Sequence, residues 1–443
     1  MRKYTFGLMA AACVLAPQFA FSAGFALREH SADAMGSAYA GASATATDSS
    51  YLAYNPAAAG FVDQGDFTVS LAGIFPSSSA DYTATTSALT PVSGEASPND
   101  FISDAAVPAL TGRWRLADRW AFGLSVTAPW GLSTQYPNDW VGRYYGLQTK
   151  LLTVNIAPVI AFNVTPHVVI AGGVQAQYAH GQFSNAIDVG TIAAGPPFFG
   201  TPGAQDIRAK FDADGWGWGY TLGAIAQVSD ALTLGVSYRS SVDTGADGTL
   251  KFNLAGNALA QTINGLTGLF SNTAASTSLT TPAVLNFGAR WRLGERWTLL
   301  GEANWTDWTS FQELRIKSKN PANPDDVTIA NWDSAWFYAL GVEYQADDRW
   351  TLRAGTAFDA SPIPNSTRGP RIPDNDRTWI AAGARYHASD CVDVSFSASH
   401  LFLPSSDVHL SQLVAANAVR GNLDGRTKGS VNVVAVQFSF KMQ

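Results

Sequence analysis

The fold is decided by a pattern that is clearest in Trp120-Ala121-Phe122-Gly123-Leu124-Ser125-Val126. Large apolar side chains occupy every second position of this stretch, and small or polar side chains lie between them. The segments 297–305 and 350–358 repeat the pattern, and each begins with a tryptophan. Because successive side chains of a β-strand point to opposite faces, this period of two predicts strands with two different faces.

From Gly65 onward, the same alternation predicts about fourteen strands. They span 66–76, 105–116, 119–129, 150–163, 167–183, 208–228, 231–242, 280–293, 296–308, 332–345, 349–360, 377–387, 391–403 and 430–440. Tight connections rich in Asp, Gly, Ser and Pro, which favour turns, alternate strictly with long connections. Short periplasmic turns and long outer loops are typical of outer-membrane barrels, and an even number of strands places both termini on the periplasmic side.

A charged turn followed by tryptophan opens three of these strands. The three copies are Asp118-Arg119-Trp120, Glu295-Arg296-Trp297 and Asp348-Arg349-Trp350. They indicate a turn in water and an aromatic ring at the level of the lipid headgroups. Charged residues are 14% of the chain, well below the ~25% of soluble domains. A soluble β-propeller or solenoid, the main alternative, does not explain these features together. We therefore predict an all-β fold, a 14-stranded antiparallel transmembrane β-barrel.

The N-terminal residues predict export from the cytoplasm. Arg2 and Lys3 precede an apolar run over 4–15, and Ala20-Phe21-Ser22 fits a signal-peptide cleavage site. We therefore predict a signal peptide over 1–22 and a location in the outer membrane of a Gram-negative bacterium. Residues 23–64 are rich in Ala, Gly and Ser and show no alternation, so they are predicted to form a compact hatch (a plug) inside the barrel of residues 65–443.

Motifs that carry catalysis or bind metals and cofactors are missing from the sequence. It contains no nucleophile elbow, phosphate-binding loop or zinc-protease helix, and its six histidines are dispersed. Signal cleavage leaves one cysteine, Cys391, which is too few for an intramolecular disulfide. The formal net charge of −7 argues against binding to nucleic acid. We expect neither an enzyme nor a metal site nor a cofactor.

Several motifs resemble the FadL/TodX family of outer-membrane transporters for long-chain fatty acids and hydrocarbons. They occur in the family's order across the mature chain: Ala23-Gly24-Phe25, Gly36-Ser37-Ala38-Tyr39-Ala40-Gly41, Asn55-Pro56-Ala57, Trp305-Thr306-Asp307-Trp308, Phe358-Asp359-Ala360-Ser361-Pro362 and Ile372-Pro373-Asp374-Asn375-Asp376-Arg377. The resemblance implies a hatch that includes Phe25, Asn55, Pro56 and Ala57. It also implies a monomer that takes up hydrophobic small molecules passively and contacts outer-membrane lipids.

The resemblance further implies capture of the substrate by outer loops and its lateral release beside the third strand. For capture, the apolar loop residues Phe198, Phe199, Leu266 and Phe270 are candidates, because exposed apolar groups are costly unless they pack or bind. For a fatty-acid carboxylate, Arg315 and Lys317 are candidates. For the lateral gate, the candidates are Ala105, Ala128, Pro129 and Gly131, since Pro129 removes a hydrogen-bond donor from the strand and Gly131 relaxes its backbone.

Alternatives remain open for the substrate and for the class of barrel. The stretch 177–185 has no Arg or Lys, where carboxylate-binding relatives tend to have one. An aromatic or aliphatic hydrocarbon is therefore the second reading. A general porin or a structural, adhesive barrel is the third, although an Ala- and Gly-rich plug does not suit an open, charged lumen.

Overall fold

The computed structural model describes residues 24–442, so the predicted signal peptide over 1–22 lies outside the described residues. Within this range nineteen strands form one sheet. They are β1 Gly65–Thr85, β2 Ala105–Ala117, β3 Trp120–Thr127, β4 Gly131–Gln135, β5 Gln148–Thr165, β6 Val168–Asp188, β7 Asp206–Gln227, β8 Leu232–Arg239, β9 Val242–Asn253, β10 Thr273–Thr281, β11 Val284–Leu293, β12 Trp297–Thr306, β13 Glu313–Ser318, β14 Asp326–Ile329, β15 Ala335–Gln345, β16 Trp350–Asp359, β17 Arg377–Ser389, β18 Val392–Leu410 and β19 Asn422–Lys441.

These strands make a closed barrel of fourteen, as predicted. β3 and β4 are two parts of the third barrel strand, β8 and β9 of the seventh, and β10 and β11 of the eighth. β13 and β14 form a hairpin beside the wall. Neighbouring strands are antiparallel, and β1 pairs with β19 from Asp66–Lys441 to Thr85–Asn422, which closes the ring. Closure of the ring removes the two free edge strands that an open sheet would present to the lipid.

The predicted alternation is confirmed in the wall. In β3 the residues Ala121, Gly123 and Ser125 are buried on the lumen side, whereas Trp120 points outward and is 48% exposed. Large apolar residues cover the outer face of the other strands in the same way, for example Leu340 and Trp218. Among residues 24–442, no helix is long and apolar enough to cross a membrane.

At the long-loop end the strands run further than predicted. β1 continues to Thr85 and β19 begins at Asn422, because Ser77–Thr85 pairs with Asn422–Ser430 beyond the apolar band. Polar residues on both faces conceal such a strand from a search for alternation. The predicted loop 243–279 also contains a helix, Ala258–Thr267, because Asn257 caps its N-terminus and Gly268 adopts a left-handed conformation at its C-terminus (φ 74°).

The described part of the hatch, residues 24–64, fills the lumen with short helical turns. The turns are Ala32–Met35, Ala42–Ala44, Ser49–Ala53 and Pro56–Gly60. Side-chain oxygens of Ser31, Asp48 and Asn55 accept hydrogen bonds from the first backbone N–H groups of three of these turns. Such caps satisfy donors that short turns leave unpaired, so an Ala-rich segment can remain ordered without strands.

Asn55 joins the hatch to the wall. Its Nδ2 donates to the backbone oxygens of Ser43, Ala224 and Val236 at 2.7, 3.1 and 3.2 Å. The wall can approach this closely because it carries glycine there. A Cβ at Gly223 would lie 2.1 Å from Asn55 Oδ1. The predicted hatch residues Phe25, Asn55, Pro56 and Ala57 therefore all lie inside the barrel, buried.

A buried charge cluster joins the hatch to the wall at a second place, away from Asn55. Asp33 accepts hydrogen bonds from Arg353 and Arg385 of the wall at 2.5 and 2.7 Å, and from the Tyr51 hydroxyl at 2.7 Å. Burial alone would raise the pKa of Asp33, but the two guanidinium groups outweigh burial and hold this pKa below its ordinary value. Asp33 is thus ionised and fixed between two strands.

Candidate binding cavity and wall opening

A cavity of about 320 Å³ lies between the hatch and the long loops. Its lining is mostly apolar and includes Leu132, Leu151, Phe211, Leu279, Trp332 and Ile363. A pocket of this size, largely apolar with a few polar groups, is typical of small-molecule sites.

Phe25, from the N-terminal segment of the hatch, lines this cavity and belongs to an aromatic cluster. Its ring centroid lies 4.7 Å from that of Trp308, and 5.5 Å from those of Phe311 and Trp332. The preceding residue, Gly24, donates its N–H to Asp374 Oδ2 at 2.9 Å. The segment 24–27 is therefore held both by aromatic packing and by a buried carboxylate.

Two arginines, Arg371 and Arg420, are the charged residues that line the cavity. Arg420 forms an ion pair with Asp326. Arg371 Nη1 donates to the Gln148 carbonyl oxygen at 3.2 Å and to Thr149 Oγ1 at 3.1 Å, but no carboxylate among residues 24–442 forms an ion pair with it. Burial lowers the pKa of Arg371 to about 10, so its guanidinium remains charged at neutral pH. The cavity therefore combines an apolar body with one uncompensated cation.

The third barrel strand is interrupted beside the hatch. β3 pairs with β2 only as far as Val126–Leu110, and β4 resumes at Gly131 with pairing to β5. Residues 105–109 of β2 are consequently unpaired on this side of the wall. Further along, the Ser103 N–H donates to the Ser133 carbonyl oxygen at 3.2 Å and joins the strands again. The candidate gate residues Ala105, Ala128, Pro129 and Gly131 all lie at this opening.

The N-terminal segment covers the inner side of the wall opening. The Leu27 N–H donates to the Pro129 oxygen, and the Gly131 N–H donates to the Phe25 oxygen, both at 2.8 Å. Segment 25–27 thus takes the pairing position that β2 leaves empty. Its displacement would connect the cavity with the wall opening.

The six predicted ligand residues all lie outside the cavity. Arg315 pairs with Glu313 at 2.7 Å and Asp325 at 3.4 Å, and Lys317 is exposed on the same hairpin, so neither lines the cavity. Phe270 is buried against the Ala258–Thr267 helix with Phe198 packed nearby. Phe199 and Leu266 are each 71% exposed on the outer loops. Arg371 and Arg420 were missed, because a sequence does not show which loop side chains the barrel brings together around a cavity.

The closed barrel with an apolar exterior, a hatch and an inner cavity defines the class of outer-membrane β-barrel transport proteins. Among residues 24–442, no three His, Cys, Asp or Glu side chains are grouped to hold a metal ion. The chain belongs to the family described as outer membrane protein transport protein (OMPP1/FadL/TodX), whose model matches residues 13–442. The predicted family and its outer-membrane location are confirmed.

Relatives and solved structures agree with this placement. The chain is 29% identical over 415 residues to a long-chain fatty acid transport protein of Escherichia coli O6:H1, with 90% of this chain and 91% of that protein covered. A Pseudomonas aeruginosa FadL homologue matches with a TM-score of 0.87 at 26% identity, over 95% and 100% of the two chains. The Pseudomonas putida toluene transporter TodX, with a TM-score of 0.64 at 16% identity over 95% and 100%, shares the fold.

Proposed function

We propose that this transporter takes up long-chain fatty acids passively. The observation that carries the proposal is an apolar cavity lined by Arg371, a partly buried guanidinium that forms no ion pair among the described residues. A fatty acid matches both features, because its hydrocarbon chain fits the apolar lining and its carboxylate can pair with the guanidinium. The long-chain fatty acid transport protein of E. coli, a relative along most of its length, supports the same substrate class.

The energetics favour an acid over a neutral hydrocarbon. Each buried CH₂ group gains about 0.8 kcal/mol by leaving water, for either ligand. A carboxylate adds a charge-assisted hydrogen bond to Arg371, of the kind worth about 1.5–3 kcal/mol. A neutral chain gains nothing from the guanidinium.

The proposed route has three stages. Apolar side chains exposed on the outer loops, such as Phe199 and Leu266, collect the molecule, and the cavity beside Arg371 then holds it. Displacement of segment 25–27 opens the passage between β2 and the third strand. The molecule then leaves sideways into the membrane, which spares its apolar chain from water in the lumen.

The test compares palmitate with hexadecanol, which has the same chain without the charge. We expect Arg371→Gln to weaken equilibrium binding of palmitate by roughly 10- to 100-fold, as the loss of one charge-assisted hydrogen bond predicts. Binding of hexadecanol should change little. Arg315→Gln is the matched control, because Arg315 lies outside the cavity and has two carboxylate partners.

Hydrocarbon uptake is the second candidate. It is favoured by the largely apolar lining and by the stretch Gln177–Asn185, which carries no Arg or Lys. If Arg371→Gln binds palmitate as well as the unmodified protein, and toluene competes for the same cavity, the fatty-acid proposal is contradicted and the hydrocarbon reading is supported.

A further inference from the structure

A second, smaller space lies on the other side of the N-terminal segment. We name it the lower chamber, and its lining includes Ala26, Tyr54, Ser125, Pro129, Ser237 and Arg239. Its volume is about 80 Å³, and a water needs only ~10–15 Å³ measured in this way, so the space accommodates a small polar group. No Asp or Glu occurs among the described residues that line it.

Arg239 is the unusual residue of the lower chamber. It is the last residue of β8, paired in the sheet with Thr221 and Val284, and its side chain points inward. Among residues 24–442 its guanidinium has no hydrogen-bond or ion-pair partner. Other inward guanidinium groups are paired with carboxylates: Arg113 with Asp66, Arg290 with Glu343, and both Arg353 and Arg385 with Asp33.

The other basic groups of the lower chamber do not need an anion. Arg28 donates to Asn304 Oδ1 at 2.9 Å and lies 3.7 Å from Asp359. His30 is buried, and burial, with the charge of Arg239 as the second cause, lowers its pKa to about 3, so the ring is neutral at physiological pH. The uncompensated charge of the chamber therefore resides on Arg239.

The position of the lower chamber connects the two ends of the proposed route. Phe25 lines the cavity above, whereas the next two residues, Ala26 and Leu27, line the lower chamber. Pro129 and Trp130, at the break in the third strand, also line the chamber. A molecule moving from the cavity to the wall opening would pass beside Arg239 once segment 25–27 is displaced.

We propose that Arg239 is a second carboxylate-binding site, which holds the head group of a fatty acid after it leaves Arg371 and before the molecule exits sideways. The inference rests on the proposed fatty-acid function. A carboxylate moved through a lumen of low dielectric without a counter-charge is costly, so a second cation lowers the barrier between cavity and exit. Thr221, Ser237 and Asn286, which also line the chamber, add neutral hydrogen-bonding groups.

The test uses palmitate labelled with ¹³C at its carboxyl carbon, added to the mature protein in lipid nanodiscs. We expect two bound carboxyl resonances. Arg239→Gln should remove the resonance of the lower chamber and keep that of the cavity, whereas Arg371→Gln should remove the resonance of the cavity. Arg239→Lys should keep both resonances and shift that of the lower chamber. Arg349→Gln, at an exposed turn, is the matched control and should leave the spectrum unchanged.

The outcomes separate this inference from the proposed function. A single bound resonance that Arg371→Gln abolishes and Arg239→Gln preserves overturns the second site alone. If the unmodified protein shows no bound carboxyl resonance, both the second site and the proposed fatty-acid function are contradicted. If Arg239→Gln does not assemble, judged by heat-modifiability in electrophoresis, a nitroxide on Ser125→Cys in a Cys391→Ser protein decides. Broadening of one of two resonances supports a site in the lower chamber, and broadening of neither contradicts it.

Discussion

At the scale of single residues, His30 makes the hatch sensitive to pH. Its ring lies in the lumen with its centroid 6.3 Å from that of Tyr54. Burial first, and then the charges of Arg239 and Arg28, lower its pKa from 6.5 to about 3. Protonation is therefore disfavoured while the N-terminal segment is docked. The contribution of His30 to docking is complete above pH 6.5 and declines as the pH falls from 6.5 toward 3.

We predict that segment 24–31 opens more often at pH 5 than at pH 7. The His30 linkage amounts to about 2 kcal/mol at pH 5, which alone corresponds to a roughly 30-fold larger open population. Burial raises the pKa of Glu29 in the same segment, which opposes this change and makes the figure an upper bound. Hydrogen exchange of this segment, corrected for the intrinsic effect of pH, measures the change. His30→Gln, which does not titrate, should lose most of the dependence. Equal protection at both pH values in the unmodified protein would contradict the prediction.

The sequence allowed some of these residues to be predicted and not others. Phe25, Asn55 and Pro56 were assigned to the hatch because they lie in motifs that resemble a family. Arg371 was not assigned to the cavity, because its isolation depends on loops brought together by the barrel. Glu313 and Arg315 carried a usable signal, since side chains two apart on a strand share a face and pair readily.

At the scale of elements, the third barrel strand is the feature that differs from its neighbours. Pro129 has no N–H to donate, and β3 ends two residues before it. The predicted strand over 119–129 therefore ends early, and its continuation as β4 from Gly131 was not predicted. Period-two alternation located the strand, but it could not show that β2 stays unpaired over 105–109, because pairing depends on how the neighbouring strand bends.

We predict that a charged side chain in the wall opening slows uptake. Ala105→Glu places a carboxylate where an apolar chain must pass, and a barrier of only about 1.4 kcal/mol reduces the rate ~10-fold. Initial uptake of radiolabelled palmitate by whole cells is the measurement. Ala105→Ser, which stays small and neutral, should transport normally. Undiminished uptake by a correctly assembled Ala105→Glu protein would mean that the substrate leaves by another path.

At the scale of the whole molecule, the hatch and the wall divide the lumen into a sealed part and a binding part. Hatch side chains around residues 31–60 are almost all buried, whereas a cavity remains between the hatch and the long loops. The compact plug and the barrel were predicted from composition and alternation. The charge cluster around Asp33 was not, because Arg353 and Arg385 lie more than three hundred residues away in sequence.

We predict that the unmodified protein conducts far less than an open porin and that Asp33→Asn raises its conductance. Removing the carboxylate leaves Arg353 with Glu343 and Arg385 with Asp48, so each guanidinium loses one of two carboxylate partners. The loss of these charge-assisted hydrogen bonds costs hatch docking about 1.5–3 kcal/mol. Single-channel recording in planar bilayers measures this effect. Asp348→Asn, at an exposed turn, is the control and should conduct like the unmodified protein. Porin-like currents through the unmodified protein would rule out a sealing hatch.

The seam between β1 and β19 has a consequence for how the protein is assembled in the membrane. Gln437 of β19 accepts a hydrogen bond from Ser31 Oγ at 2.9 Å and donates to Asp48 Oδ2 at 3.1 Å. On the other side of the seam, Thr68 of β1 accepts a hydrogen bond from Ser49 Oγ at 2.9 Å. The first and last strands therefore meet over a folded N-terminal segment that touches both. We therefore expect barrel closure and hatch folding to be coupled during assembly, because each supplies polar partners that the other would otherwise bury unpaired.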